Sequence, residues 1–439
     1  MTWDLLLAIG ILLSNATQLR PGDAPVGPGE VCLAIWIVLM LGRETARLGP
    51  RFTPALSRLV IFWLLFAAAQ SIGILTSYFI ADPHDTKALI HDLTAYPLLA
   101  AVCVLSVVGP NAGSRVHRVA WLLVTLGSVE LGLQALQAWN FISIGTLDLW
   151  FWERMRGWSD NPNQLAFQCA MLALLCLHLA DVAASVSARI GAVGASVLPI
   201  YVGLLTRSDT FGIILIVAGP IFLAIKLRTW LLLHQRTLSA RSAFAWIAVL
   251  TLPLLLGTVA QYGSSLAANV RGLAEDVGKG DQQDSDKTAH IRFHVWRSAF
   301  SRGLDAGMLG LGPGPHVPVP PSIAADRRDP AQDFSGGPQL DPADHAAPNG
   351  TPNFEAHDTL LDIFTQGGLL AVLSLIWLVA TAFLQTYRTR LDGLSTLLCG
   401  LTIFSTFHLV IRHPIFWFSI ATALTAAEGR TLSLKRRWS

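Results

Sequence analysis

Apolar runs alternate with short polar connections along most of the 439-residue chain. A helix needs about 20 predominantly apolar residues to cross a bilayer, and five charge-free runs have that length. Seven shorter or interrupted runs give a predicted total of about twelve spans: 5–18, 30–42, 59–81, 93–114, 119–139, 161–180, 190–206, 210–225, 242–270, 363–387, 393–411 and 413–427. The pattern predicts an all-α, polytopic membrane protein.

Composition narrows the possible functions. Hydrophobic residues make up 52% of the chain and charged residues 14%, whereas ordinary soluble domains have about 25% charged residues. This difference excludes a soluble enzyme, a disordered scaffold and a nucleic-acid binder. The lipid bilayer is therefore the first expected partner.

The basic residues predict which side of the membrane each connection faces, because short cytoplasmic loops carry an excess of Lys and Arg. Counted over alternate connections and the C-terminal tail, one set holds seventeen basic residues and the other holds six. The richer set includes the tail, so we expect both termini in the cytoplasm. The one long connection, about 263–357, is then expected outside.

The spans divide the chain into four parts, which are nine helices, the long outer loop, three further helices and a basic cytoplasmic tail: 1–262, 263–357, 358–428 and 429–439. Within the outer loop, residues 287–302 have the apolar spacing of a helix. Residues 313–353 are rich in Pro, Gly and Asp, which is typical of an irregular covering loop or lid.

Polar side chains are concentrated in four outer segments, against the general charge bias of outer loops. One such residue is usually a solvated loop charge, but four segments on one side favour a binding site. Arginine suits phosphate, because its guanidinium is planar, always charged and able to bind two oxygens. An anionic, lipid-linked substrate is therefore expected near these candidates: Arg154, Arg156, Asn161, Asn163, Arg207, Asp209, Arg292, Arg297 and His357.

Three segments resemble signatures of the O-antigen ligase and O-antigen polymerase superfamily. Residues 154–166, RMRGWSDNPNQLA, are similar to its R-x-x-G-x-x-x-N-P-N-x-L-A pattern, and residues 292–314 resemble its R-x-x-x-W followed by a G-x-G turn. Residues 354–373, FEAHDTLLDIFTQGGLLAVL, resemble its third signature, with Asp358 where Asn is usual. The resemblance extends over roughly residues 55–427.

The resemblance implies an integral glycosyltransferase of the GT-C type in a bacterial inner membrane, with its site on the periplasmic face and no cofactor. The implied donor is an undecaprenyl-diphosphate-linked oligosaccharide, and the implied acceptor is a glycan or lipid A-core. A chain-length regulator is a further partner of polymerases. Arg154, Arg292 and His357 correspond to the signature arginines and histidine, whereas the family's Ser-Arg pair reads Thr-Arg-Ser-Asp at 206–209 here.

A mechanism follows for such a transfer. A sugar hydroxyl attacks the anomeric carbon, and arginines stabilise the charge of the leaving lipid diphosphate without a metal. Arg292, Arg207 and one of Arg154 or Arg156 are the candidates for this role. An unperturbed histidine titrates near neutral pH, so His357 is the candidate for activating the acceptor. We expect Arg292 and His357 to face a single cavity.

Three alternatives remain open. A ligase that acts on lipid A-core would carry the same signatures, although residues 351–368 and 407–418 look more like those of exopolysaccharide polymerases. A transporter would need polar groups near the bilayer midplane, where only Glu130 lies, and a hydrogen bond between helices is the simpler reading of that residue. A scaffold without chemistry is the third alternative.

Overall fold

The computed structural model describes residues 2–20, 26–46, 52–80, 86–145, 147–233, 285–318 and 353–438. Its helices are α1 (Thr2–Leu13), α2 (Pro28–Thr45), α3 (Pro54–Phe79), α4 (Thr86–Val107), α5 (Ala112–Ala138), α6 (Pro162–Val182), α7 (Val186–Ala195), α8 (Val197–Leu205), α9 (Asp209–Leu233), α10 (Ser285–Asp305), α11 (Thr359–Arg388), α12 (Asp392–Ser405) and α13 (Pro414–Trp438). Two antiparallel strand pairs accompany them: β1 (Trp150–Phe151) with β2 (Arg154–Met155), and β3 (Val317–Pro318) with β4 (Asn353–Phe354). The prediction of an all-α protein is confirmed.

Seven candidate membrane spans lie within the described ranges. They are α3, α4, α5, α6, the pair α7 and α8, α9, and α11, while α1 and α12 are apolar but shorter. The predicted span 242–270 lies outside the described residues, as does most of the predicted lid at 313–353. The total of twelve spans and the GT-C arrangement therefore stay predictions.

Helix α6 lies at the centre of the bundle. In its apolar window 89% of the residues are buried, against 33–50% for the other six candidate spans. Helices α5, α7, α8 and α12 pack around it. A helix that is apolar on every side is expected in an interior, and the run 161–180 contains no charged residue.

Polar contacts join neighbouring helices at both ends of the bundle. At one end, Arg118 of α5 pairs with Asp4 of α1 at 2.7 Å. At the other end, Asn15 follows α1 and donates to Gln164 O and Gln168 Oε1 on α6, at 3.1 and 2.7 Å. We call this second end the outer end, because it matches the side that the sequence predicts to face outward.

Glu130 lies in α5 and is enclosed by amide side chains. Its two carboxylate oxygens accept from Gln134 Nε2 and Gln168 Nε2, each at 3.0 Å. Gln168 in turn accepts from Asn15. The interpretation of Glu130 as a hydrogen-bonded contact between helices is confirmed.

Helix α11 is interrupted at Gly368, where φ is 63° and ψ is −162°. The turn after α10 enters this break: Leu369 N donates to Met308 O at 2.9 Å, and Gly312 N donates to Gln366 O at 2.7 Å. Non-helical backbone at membrane depth is tolerated where protein covers it, and Gly368 is buried. A Cβ atom here would lie 2.1 Å from Met308 O, so both the backbone angle and the space require glycine.

Candidate active site at the outer end

Arg154 joins two of the sequence-predicted segments. It lies on β2, from which its Nη2 donates to Asn163 Oδ1 at 2.9 Å and its Nε to Thr206 O at 3.0 Å. Asn163 belongs to the first turn of α6, and Thr206 lies in the turn between α8 and α9. The first signature and the Thr-Arg-Ser-Asp segment are therefore neighbours in space.

Asn161 has a local structural role. It is the N-cap of α6, and its Oδ1 accepts from Asn163 N at 2.8 Å. Pro162 occupies the first helical position, where a missing N–H has no cost. The Asn-Pro-Asn motif thus fixes the start of the central helix and places Asn163 beside Arg154.

Arg207 lies at the surface beside the Arg154 group. Its backbone has φ 49°, and its guanidinium forms an ion pair with Glu153 on the β1–β2 turn. The two side chains are 61% and 77% exposed, so solvent screens the pair and it holds Arg207 only weakly. Asp209, the first residue of α9, is also exposed.

Arg156 differs from Arg154 in its surroundings. Its side chain is 3% exposed and pairs with the carboxylate of Asp148, while its Nε donates to the Asp148 carbonyl at 2.9 Å. The Phe151 ring lies 5.8 Å from the guanidinium. Arg156 therefore ties together the loop that leads into α6.

His357 immediately precedes the N-cap of α11. It is exposed and has φ 53°. Asp358 caps the helix by accepting from Leu360 N and Leu361 N at 2.9 and 3.0 Å. Burial raises the pKa of Asp358, although the backbone N–H groups of Leu361 and Leu360 oppose the shift. Asp and Asn are similarly good N-caps. The helix therefore starts at the same place with Asp358, although the family signature has Asn at this position.

A second carboxylate holds the backbone on either side of His357. Asp362 lies in the first turn of α11 and accepts from Ala356 N at 2.7 Å and from Asp358 N at 3.3 Å. The backbone around His357 is therefore fixed from within the helix, while its imidazole stays at the surface.

The helix predicted at 287–302 is present as α10, and it packs on the segment that carries His357. Trp296 Nε1 donates to Ala356 O at 3.1 Å, and Val295 shares a small apolar cluster with Ala356. Arg292 lies one helical turn before Trp296, but its side chain is outside the described part of the structure. Arg297 is exposed. The single cavity predicted for Arg292 and His357 stays a prediction, although their backbones belong to adjoining elements.

His408 connects the Arg154 group to the start of α11. Its Nε2 lies 3.2 Å from Thr210 Oγ1 on α9, and its carbonyl accepts from Thr359 Oγ1. Thr210 lies three residues after Arg207, and Thr359 lies two residues after His357. The segments predicted to hold the site thus meet at one place on the outer end.

A cavity of about 470 Å³ opens beside this place, and we call it the polar cavity. Arg412 lies in its wall and pairs with Asp92 at 2.7 Å and with Glu355. Burial alone would lower the pKa of Arg412, but the charges of Glu355 and Asp92 raise it well above its usual value. Arg412 is therefore a permanent cation in this wall.

A second space of about 540 Å³ lies between α9, α11 and α12, and we call it the apolar groove. Its lining begins with Leu360 near the start of α11 and reaches Phe383 more than six helical turns further on. Eleven of its fifteen lining residues are aliphatic or aromatic, and the other four are Cys, Ser and Thr. The groove therefore runs from the surroundings of His357 towards the opposite end of α11.

Sequence reasoning missed the group formed by Arg412, Asp92 and Glu355. These residues are far apart in the chain, and two of them lie at the edges of predicted spans. One signal was available, because Arg412 is one of the few arginines in outer connections that should be poor in basic residues.

Comparison with known proteins agrees with the resemblance found in the sequence. Residues 194–376 match the family model described as O-antigen ligase, which confirms the resemblance to the O-antigen ligase and polymerase superfamily. No curated protein matches the chain. The family match implies a glycosyltransferase-like enzyme of the ligase or polymerase type, in a bacterial membrane, with lipid-linked glycan substrates.

Proposed function

We propose, from this place in the O-antigen ligase and polymerase superfamily, that the protein is a polymerase of polysaccharide repeat units. It transfers an undecaprenyl-diphosphate-linked glycan to a sugar hydroxyl of a second glycan at the periplasmic face of the inner membrane. The observation that carries the proposal is the packing of α10, which bears Arg292 and Arg297, on the segment that bears His357.

The apolar groove supports a lipid-linked donor. Leu360 lines the groove and lies three residues after His357. A polyprenyl chain in the groove would place its diphosphate at the outer end, where α10 packs on the segment that carries His357. Non-reacting parts of a substrate supply binding energy that positions the reacting atoms.

The arginines stabilise the negative charge of the leaving diphosphate. In the proposed reaction, the acceptor oxygen forms a bond to the anomeric carbon while the bond to the diphosphate oxygen breaks. Arg292 and Arg154 stabilise the diphosphate, and His357 takes the hydroxyl proton. Arg207 and Arg297 are exposed and contribute charge to the approach of the donor. We leave Arg156 out of this step because Asp148 already engages its guanidinium.

The test uses purified protein in nanodiscs with an undecaprenyl-diphosphate-linked repeat unit as donor, and mass spectrometry of the products. We expect glycan chains of several repeat units with a second lipid-linked unit as acceptor. Product formation only with lipid A-core would make the protein a ligase. Arg292→Lys and His357→Ala should each lower the rate about 10²–10³-fold.

Matched controls come from the opposite end of the bundle. Arg43→Lys and His117→Ala make the same chemical changes far from the outer end, and we expect full activity. Near wild-type transfer by His357→Ala, at equal folded protein, would remove His357 from the mechanism.

We propose that the transfer needs no metal, and EDTA tests this directly. Activity that EDTA abolishes and Mg²⁺ or Mn²⁺ restores would assign the diphosphate to a metal.

A further inference from the structure

The polar cavity is built from residues outside the sequence-predicted site. None of the nine candidate site residues lines it, yet Glu355 does, two residues before His357. Its volume of about 470 Å³ falls within the range of roughly 300–1,000 Å³ that is typical of small-molecule sites. It is therefore a binding space next to the proposed reaction centre.

The lining of the cavity changes from polar to apolar with depth. One face of α4 contributes His91 at the outer end, then Thr94, then Leu98 and Leu99. On α2, Glu30 lies at the outer end and Ala34 lies one turn deeper. Pyranose sugars present hydroxyl groups at their rims and C–H groups on their faces, and such a ligand matches this gradient.

The charges of the cavity disfavour an anionic ligand. Arg20 pairs with Glu30 at 2.9 Å, and Arg412 pairs with both Asp92 and Glu355. Asp160 adds a further carboxylate at the rim. Acidic groups therefore outnumber arginines in and behind the wall, and the arginines are already engaged.

Neutral hydrogen-bonding groups complete the lining. Gln164 lies at the start of α6, and Ser159 donates to its Oε1 at 3.1 Å, so the amide group is held in place. Burial lowers the pKa of His413 to about 4, assisted by the charge of Arg412. His413 is thus neutral at physiological pH and presents no positive charge to an anion.

We propose that the polar cavity binds an uncharged or amino-substituted sugar unit of the acceptor glycan and excludes uronic acids. The proposal rests on the proposed function, which places acceptor activation at His357. A lipid chain is a poorer match, because the α4 face from His91 to Leu99 is only about 12 Å long at 1.5 Å per residue, and its outer half is polar.

The test is saturation-transfer difference NMR with the full chain in nanodiscs. The probes are the methyl glycosides of glucose, galactose, mannose, N-acetylglucosamine, glucosamine and glucuronic acid. We expect saturation transfer from the protein to at least one neutral or amino sugar, and none to the glucuronide. Ala95→Phe fills the cavity and should reduce the signal more than fivefold. Ala67→Phe, on the exposed face of α3, is the matched control and should leave it unchanged.

The outcomes separate this inference from the proposed function. Glycan transfer by the wild type without any saturation transfer would overturn the cavity assignment and leave the enzyme assignment standing. Suppose that the wild type binds a sugar, that Ala95→Phe removes this binding, and that the wild type never transfers glycan. These results would support the cavity assignment and overturn the proposed enzyme activity. A signal that Ala95→Phe leaves intact, or preferential binding of the glucuronide, would also overturn the inference.

Discussion

The polar cavity and the apolar groove have similar volumes, about 470 and 540 Å³, and lie on either side of one short segment. Glu355 lines the first and Leu360 lines the second. The polar cavity is enclosed by helix ends and connecting loops, whereas the groove is enclosed by the flanks of α9, α11 and α12. The part of each helix that faces the space, rather than the size of the space, decides its chemistry.

This difference also decides what each region depends on. The wall of the polar cavity is held by ion pairs, and a buried ion pair is costly to break because the remaining partner loses its compensation. The groove is lined by side chains that interact through dispersion and burial, which many apolar occupants satisfy equally well. One region should therefore be sensitive to single charges and the other to shape.

The largest expected effect is the loss of stability when an ion pair in the wall of the polar cavity is broken. Arg412→Met removes the arginine partner of Asp92, whose side chain is 1% exposed, and leaves it the contact with His91 Nδ1 at 3.1 Å. We expect the free energy of unfolding to fall by about 3–5 kcal/mol, read as a lower midpoint of thermal unfolding in detergent. Arg207→Met breaks an exposed pair and should cost at most about 1 kcal/mol.

A double variant sharpens the same prediction. Arg412→Met combined with Asp92→Leu removes the arginine and the more deeply buried of its two carboxylate partners, and it should recover a substantial part of the lost stability. An unchanged midpoint in Arg412→Met would contradict the view that ion pairs hold this wall.

The next effect concerns the groove. Ala380 lines it, and Ala380→Phe places a ring where we propose that the donor lipid lies. The ring should prevent about two methylenes of the donor lipid from being buried, at roughly 0.8 kcal/mol each. This loss of binding free energy should raise KM for the full-length donor about tenfold. KM for a donor with a short isoprenoid chain should stay constant. Leu373→Phe, on the exposed face of α11, is the control, and equal effects on both donors would contradict the groove assignment.

A comparable effect should depend on pH. The folded-state pKa of His413 is about 4, below the usual value of about 6.5, so between these values the unfolded chain binds more protons. Stability should therefore fall as pH falls through this window. His413→Gln should remove about 2 kcal/mol of the stability loss measured between pH 7 and pH 5. His294→Gln, at an exposed histidine on α10, is the matched control.

The smallest expected effect is a change of ligand preference. Asp160→Lys replaces a rim carboxylate of the polar cavity by a cation. We expect methyl glucuronide to become detectable in saturation-transfer measurements, with a gain of a few-fold because the site is exposed and solvent screens the charge. Binding of the neutral glycosides should persist, and continued exclusion of the glucuronide would show that charge at this rim does not set the preference.

Much of the helical layout could be predicted from apolar runs and charge. The helix at 287–302 followed from its spacing, and the charge-free run 161–180 became the central helix. Local detail was less predictable, because backbone breaks depend on partners distant in sequence. The predicted span 190–206 is divided at Ser196, and the span 363–387 contains the break at Gly368.

The candidate site was predictable in part. The sequence indicated the segments around Arg154, Arg207 and His357, and the structure brings these segments together through His408. It did not distinguish Arg154 from Arg156, because the difference lies in the Asp148 contact. The polar cavity could not be found from the sequence, since its walls come from six segments that only tertiary packing assembles.

The break at Gly368 has a consequence for how the protein is made. The upper part of α11 completes its hydrogen bonds with Met308 and Gly312, which leave the ribosome some sixty residues earlier. On the topology that the sequence predicts, this turn crosses the membrane before α11 is made and fills the gap at Gly368 when that helix is inserted. The outer end would then be assembled in a fixed order, with the turn in place before α11 is complete.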